Sequence, residues 1–171
     1  MKVAAWNVRG FNTPLKQNEA KEYMRNNKLD LFAILETRVK HAKASKILNT
    51  KFGSWGSLTN YGSHYNGRIW LLYNSQTVAL SHHLLEAQVI SCRVHHFETG
   101  KDLNVSFVYG SNDAVQRKDL WGTLRGLASS DPWLVLGDFN IVRCPEEKLS
   151  PNPPLLQDML DFNSVCLTVA G

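Results

Sequence analysis

The 171 residues are 43% apolar and 20% charged, with a net charge of +4 and three cysteines, the profile of one globular domain able to bury a sizeable core. No apolar run approaches the ~20 residues that cross a bilayer, and the apolar start is too short for a secretory leader, so no membrane partner and a soluble, intracellular protein are expected. Positive charge gathers early: residues 1–51 hold 11 Lys/Arg against 4 Asp/Glu, whereas residues 52–171 hold 8 against 11, a distribution that suits a polyanionic partner.

Val3-Ala4-Ala5-Trp6 reads as a buried strand that turns at Gly10. Pro14 then introduces a helix from Leu15 to Asn27, with Leu15, Ala20, Tyr23 and Met24 expected on its inner face. Leu31–Leu35 is a second buried strand, and a second helix is expected from Ala42 to Asn49. Short β-prone runs follow at Trp55–Thr59, Arg68–Tyr73, Thr77–Ser81, Gln88–Phe97 and Leu103–Val108, which suggests a largely antiparallel meander. Its hairpin turn is expected at Glu98–Lys101. Asp113 is placed to cap a helix running to Ala128, with Val115, Leu120, Leu124 and Leu127 turned inward. Trp133–Leu136 is a further strand. A loop with Pro145, Pro151, Pro153 and Pro154 separates it from a last helix near Leu155–Val165.

Cys92, Cys144 and Cys166 form no CxxC pair, so neither a zinc site nor a disulfide framework is indicated. The neighbours His82/His83 and His95/His96 point to opposite faces of a strand and cannot chelate together from one side. His64 lies in a glycine-flanked loop. Trp55, Tyr61 and Trp70 read as sheet packing rather than base-stacking groups.

Four apolar strands each run into a polar residue: Asn7, Glu36, Tyr109 and Asp138. In α/β proteins such carboxyl ends of strands are where ligands bind, and if the four strands are neighbours the four side chains share one rim. Each alone also has an ordinary reading as a turn or strand-end residue.

The words around these residues are Trp6-Asn7-Val8-Arg9-Gly10, Leu35-Glu36-Thr37-Arg38, Val108-Tyr109-Gly110-Ser111-Asn112 and Gly137-Asp138-Phe139-Asn140. In that order they resemble the endonuclease/exonuclease/phosphatase superfamily, to which deoxyribonuclease I belongs. The Trp-Asn-Val-Arg-Gly opening and the Gly67–Leu72 run are most similar to endonuclease domains of plant LINE-type retrotransposons. So is the stretch from Asp138 to Pro145-Glu146-Glu147-Lys148.

The resemblance implies a four-layer α/β/β/α sandwich of two mixed β-sheets flanked by helices, in a single domain over residues 1–171. It implies a DNA-nicking phosphodiester hydrolase using Mg²⁺, with Mn²⁺ as an alternative. Glu36 and Asn7 would hold the metal, and Asp138 would orient or deprotonate the attacking water. Asn140 would hold the scissile phosphate, Tyr109 would contact the phosphate or leaving oxygen, and Asn112 and Arg9 would bind phosphate. Arg9 stands where some relatives carry a second acid; it suits phosphate contact but cannot bind metal, so a second metal position is not expected. The family continues through further strands to an Asp- or Asn-bearing segment and a terminal Ser-Asp-His motif. Here all six histidines precede Asp138, so the domain is expected to be incomplete at its C-terminus, with weak or absent activity. An exposed sheet edge and self-association are expected to accompany that loss. The alternatives are a non-catalytic remnant with nucleic-acid affinity and a phosphatase of small molecules. A nuclear location follows from the resemblance alone.

Overall fold

The computed structural model describes residues 1–65, 67–149 and 154–170, so Pro151 and Pro153 of the proline-rich loop and the terminal Gly171 lie outside the described residues. The chain forms two compact units. The first comprises Met1–Tyr109 and Pro132–Asp138, the second Gly110–Asp131 and Phe139–Gly171. Among the described residues, no helix is long and apolar enough to cross a membrane.

In the first unit the elements run β1 (Val3–Asn7), α1 (Pro14–Asn27), β2 (Leu31–Leu35), α2 (His41–Phe52), β3 (Gly56–Thr59) and β4 (Ile69–Tyr73). They continue with β5 (Val78–Leu85), β6 (Val89–His96), β7 (Lys101–Tyr109) and, after the excursion through the second unit, β8 (Trp133–Asp138). Two mixed sheets result, ordered β1-β2-β4-β3 and β5-β6-β7-β8. β1 pairs β2 in parallel, β7 pairs β8 in parallel, and the other ladders are antiparallel. The meander read from the sequence is therefore antiparallel but divided between two sheets.

Strand alternation explains why β2 is buried at every position. Phe32 and Ile34 point to a core shared with Ala20 and Met24 of α1 and Ala44 and Phe52 of α2. Leu31, Ala33 and Leu35 point the other way, into a core with Ile90, Val105 and Phe107 of the second sheet. A strand covered on both faces reads as a continuous apolar run. The observed α/β arrangement of two mixed sheets flanked by helices is the one expected.

The inner face of α1 is set by Gln17, Ala20 and Met24. Leu15, expected inside, is 67% exposed, and Tyr23 sits at the margin with its ring 5.8 Å from that of Phe32. At ~100° per residue Leu15 falls well off the 17/20/24 face. Gln17 occupies the inner position because its amide donates to the Phe11 carbonyl at 3.0 Å. Burial of Cys92 between the sheets pushes its thiol up to about 12. The thiol, not the reactive thiolate, thus persists through mildly alkaline pH. A thiol reagent is expected to modify Cys92 only after denaturation; labelling in the native state, read by mass spectrometry, would contradict that packing.

The second unit contains α3 (Ala114–Leu127), a short 3-10 turn at Pro145–Glu147 and α4 (Leu156–Ala170). Asp113 caps α3 as expected, its carboxylate accepting from Val115 and Gln116 N–H at 2.8 and 3.0 Å. The buried face is Arg117, Leu120, Trp121 and Leu124, whereas Val115 is 75% exposed. Val115 lies ~140° around the helix from Leu120, off that face. Trp121 stacks on Phe162 of α4 at 5.3 Å between ring centroids, and Phe139 joins them at 5.0 Å from Phe162.

Candidate active site

Parallel pairing aligns strand ends. Asn7 is opposite Leu35, one residue before Glu36, and Tyr109 is opposite Asp138. β1 and β8, each at the edge of its sheet, also pack together. Four side chains separated by up to 131 residues thereby meet in the first unit. The Asn7 amide Nδ2 donates to Asp138 Oδ2 at 2.6 Å. The Tyr109 phenol feels the charges of both Glu36 and Asp138.

Glu36 is held by backbone bonds on two sides. Its carbonyl accepts from Gly10 N–H at 2.8 Å, while Thr37 N–H donates to Arg68 O and Thr37 Oγ1 to Gly67 O. These contacts extend β2 beyond its last ladder residue and fix Glu36 at φ 54°. That left-handed conformation costs an L-residue about 1–2 kcal/mol and persists only where the surroundings over-determine it. Arg9 (φ 46°) and Arg38 (φ 51°) share the conformation. Arg38 forms an ion pair with Glu36 Oε1 from a largely exposed position.

Tyr109 is 5% exposed. Burial raises its pKa, the Glu36 and Asp138 carboxylates add to the rise, and Arg68 opposes it. The phenol is therefore protonated at neutral pH and serves as a donor. The Arg68 guanidinium lies 5.5 Å from the Tyr109 ring centroid, a cation–π distance. Sequence reading did not single out Arg68. It precedes β4, and only the β2–β4 pairing brings it beside Glu36 and Tyr109. His64 has its pKa lowered by burial and by the Arg68 charge.

Asn112 and Asn140 belong to the second unit. The Arg117 guanidinium, 3% exposed, donates to the carbonyls of Ser111 (2.7 Å), Asn112 (3.4 Å) and Asn140 (3.2 Å), and to Asp158 at 3.5 Å. Asn140 Nδ2 donates to Gly110 O at 2.7 Å. One buried cation thus ties together the loops that carry both asparagines. In sequence Arg117 looks like an ordinary helix-surface residue and carries no signal of this role. Lysine cannot reproduce the planar fork, so Arg117→Lys is expected to cost about 1–3 kcal/mol through unpaired carbonyls. Thermal melting measures that loss, and an unchanged midpoint would remove Arg117 from the role.

Among the described residues no group of three or more His, Cys, Asp or Glu is close enough to hold a metal. The rim nevertheless presents only oxygen donors: the Glu36 and Asp138 carboxylates and the Asn7 amide carbonyl, which accepts one bond from Arg9 N–H and keeps a second lone pair. Magnesium retains several waters and takes one or two carboxylates, so this donor set fits it. The paired histidines have separate structural partners: His95 bonds Asp102 at 2.7 Å, while buried His96 bonds Thr99 at 3.0 Å.

A sequence model described as the endonuclease/exonuclease/phosphatase family matches residues 4–167. No curated protein matches the chain. Among solved structures, an AP endonuclease from Archaeoglobus fulgidus superposes with a TM-score of 0.70 at 14% identity, covering 98% of this chain and 70% of its own. The AP endonuclease LMAP from Leishmania major also scores 0.70, at 13% identity, over 96% of this chain and 65% of its own. TDP2 of D. rerio, solved with a single-strand DNA product, scores 0.61 at 15% identity over 81% and 60%. At such identities the likeness is one of fold, and the chain spans 60% to 70% of the length of these three.

Proposed function

Because the chain belongs to the endonuclease/exonuclease/phosphatase family, we propose that it is a metal-dependent phosphodiester hydrolase that nicks DNA, of the kind found in plant LINE-type retrotransposons. The observation that carries this reading is the meeting of Asn7, Glu36, Tyr109 and Asp138 at one rim, with Asn7 Nδ2 2.6 Å from Asp138 Oδ2. The retrotransposon lineage rests on the Trp6–Gly10, Gly67–Leu72 and Asp138–Lys148 words, and a nuclear location rests on it in turn.

Hydrolysis of a phosphodiester needs an activated water, neutralisation of the charge on the five-coordinate phosphorus and help for the leaving oxygen. Glu36 and Asn7 would hold Mg²⁺ or Mn²⁺, which supplies Lewis-acid polarisation of the phosphate. Asp138 orients the water and accepts its proton, while the Asn7 amide holds the carboxylate in place. Tyr109, kept protonated by burial and two carboxylates, donates to a phosphate or leaving oxygen. Arg68 and Arg9 add positive charge against the phosphate; the phosphate roles of Asn112 and Asn140 rest on the family resemblance alone.

Nicking of supercoiled plasmid with and without EDTA tests the proposal. Activity that needs a divalent ion and disappears in Asp138→Asn supports it. No activity at high enzyme concentration, with salt-sensitive DNA retention, would instead mark a non-catalytic remnant. Hydrolysis of inositol phosphates without nicking would mark a small-molecule phosphatase.

Among the described residues β8 pairs only with β7, and Leu134 is 37% exposed on it. An open edge strand is a template for pairing with another chain. Self-association is therefore expected, and light scattering should report a mass above 19.3 kDa at high concentration; a monomer mass throughout would refute it.

A further inference from the structure

At the other ends of β1 and β2, roughly 13 Å of extended strand away from Asn7 and Glu36, the first unit holds a cavity of about 440 Å³. Lys2, Arg25 and Lys28 line it together with Trp55 and Phe97. A second cavity of about 250 Å³, lined by Lys21 and Lys51, shares Met24, Arg25 and Trp55 with the first. Together they make up a basic, aromatic-walled groove region around those shared residues.

The groove absorbs much of the basic excess of the early chain. Lys21, Arg25 and Lys28 recur at i, i+4 and i+7, so they line one side of α1 and its C-terminal cap over roughly 10 Å. Lys2, Lys21, Arg25 and Lys28 have no ion-pair partner among the described residues, and Lys51 bonds only the Asn18 amide oxygen. Of the two carboxylates described on the walls, Asp30 is buried and accepts from Lys2 N–H at 2.6 Å, which leaves Glu98. Cations near a helix C-terminus are partly explained by the helix dipole. The aromatic lining is not. Phe97 is 50% exposed at the cavity wall, and its ring contact among the described residues is a tilted one with His95 at 5.8 Å. Trp55 is partly buried against the core and lines both cavities.

We propose that this groove is a second nucleic-acid contact, which holds a single strand by its phosphates along α1 and stacks a base on Phe97. A row of cations beside an exposed aromatic ring is the combination that binds single strands without sequence preference. The groove's length favours a strand over a lone mononucleotide, since its cations outnumber the phosphates that one nucleotide presents. The contact does not depend on the rim at Asn7 and Glu36 cutting anything.

Fluorescence anisotropy with labelled oligothymidylate, in EDTA so that no cleavage occurs, tests it. The parent should bind with a slope of log K against log salt near −2, from about three phosphate contacts at ~0.7 each. Arg25→Ala/Lys28→Ala should reduce that slope by about 1.4 and weaken binding at least ~10-fold. Phe97→Ala should weaken binding about 10-fold with the slope unchanged. All three side chains are on the surface, and melting midpoints equal to the parent's would certify the fold. Parent-like binding by both variants overturns the proposal, as does loss of binding in Arg9→Ala with retention in Arg25→Ala/Lys28→Ala. Because no turnover is read, an inactive rim leaves the result interpretable.

Discussion

Asp138→Asn is expected to lower plasmid nicking by about 10²–10⁴-fold, the range for removing a positioned general base, with the melting temperature nearly unchanged. Asparagine keeps the oxygen that accepts from Asn7 Nδ2, so the rim stays assembled while its proton acceptor is gone. Glu36→Gln should be comparably inactive for a different reason. It removes the carboxylate expected to hold the cation, so calorimetry should show weakened Mg²⁺ binding, and raised Mg²⁺ should restore part of the rate. No concentration of Mg²⁺ should rescue Asp138→Asn. This difference separates a residue acting on water from one acting on the metal. Parent-like nicking by Asp138→Asn would remove it from the chemistry.

Gly137→Ala should be the most damaging single change in the scaffold of the rim. Gly137 lies opposite Val108 in the β7–β8 ladder at φ 144°, and an added Cβ would stand 2.0 Å from the Val108 carbonyl oxygen. No L-side chain adopts that backbone cheaply, and the obstacle is backbone rather than a flexible side chain. The strands must separate, at a cost of about 3 kcal/mol or more. For a chain of this size that amounts to a fall of roughly 10 °C in melting temperature. The next pair along is Tyr109 and Asp138, so nicking should be lost with stability. A melting curve superimposable on the parent's would show that β8 takes a different path from the one described.

Local physics made much of this chain legible. The apolar runs Leu31–Leu35 and Trp133–Leu136 are strands because burial on both faces, or at a half-buried edge, selects such runs. Asp113 announces α3 because a carboxylate satisfies free N–H groups at a helix start. Where periodicity alone was used, on α1 and α3, it put Leu15 and Val115 on the wrong face. Gln17 and Arg117 are polar yet buried because the carbonyls of Phe11, Ser111 and Asn140 need donors, and those partners are invisible to a pattern of apolar residues.

The sequence by itself determined the strand ends at which Asn7, Glu36, Tyr109 and Asp138 stand, since each closes an apolar run that must be buried. Only the tertiary structure decided that these four ends meet. Their contact requires β1 beside β2, β7 beside β8 and the two sheet edges together, pairings made across as many as 131 residues. The same holds for Arg68 over Tyr109 and for the cationic groove at the far ends of β1 and β2. A hydrophobic pattern reports which residues leave water; it does not report which partners they find there.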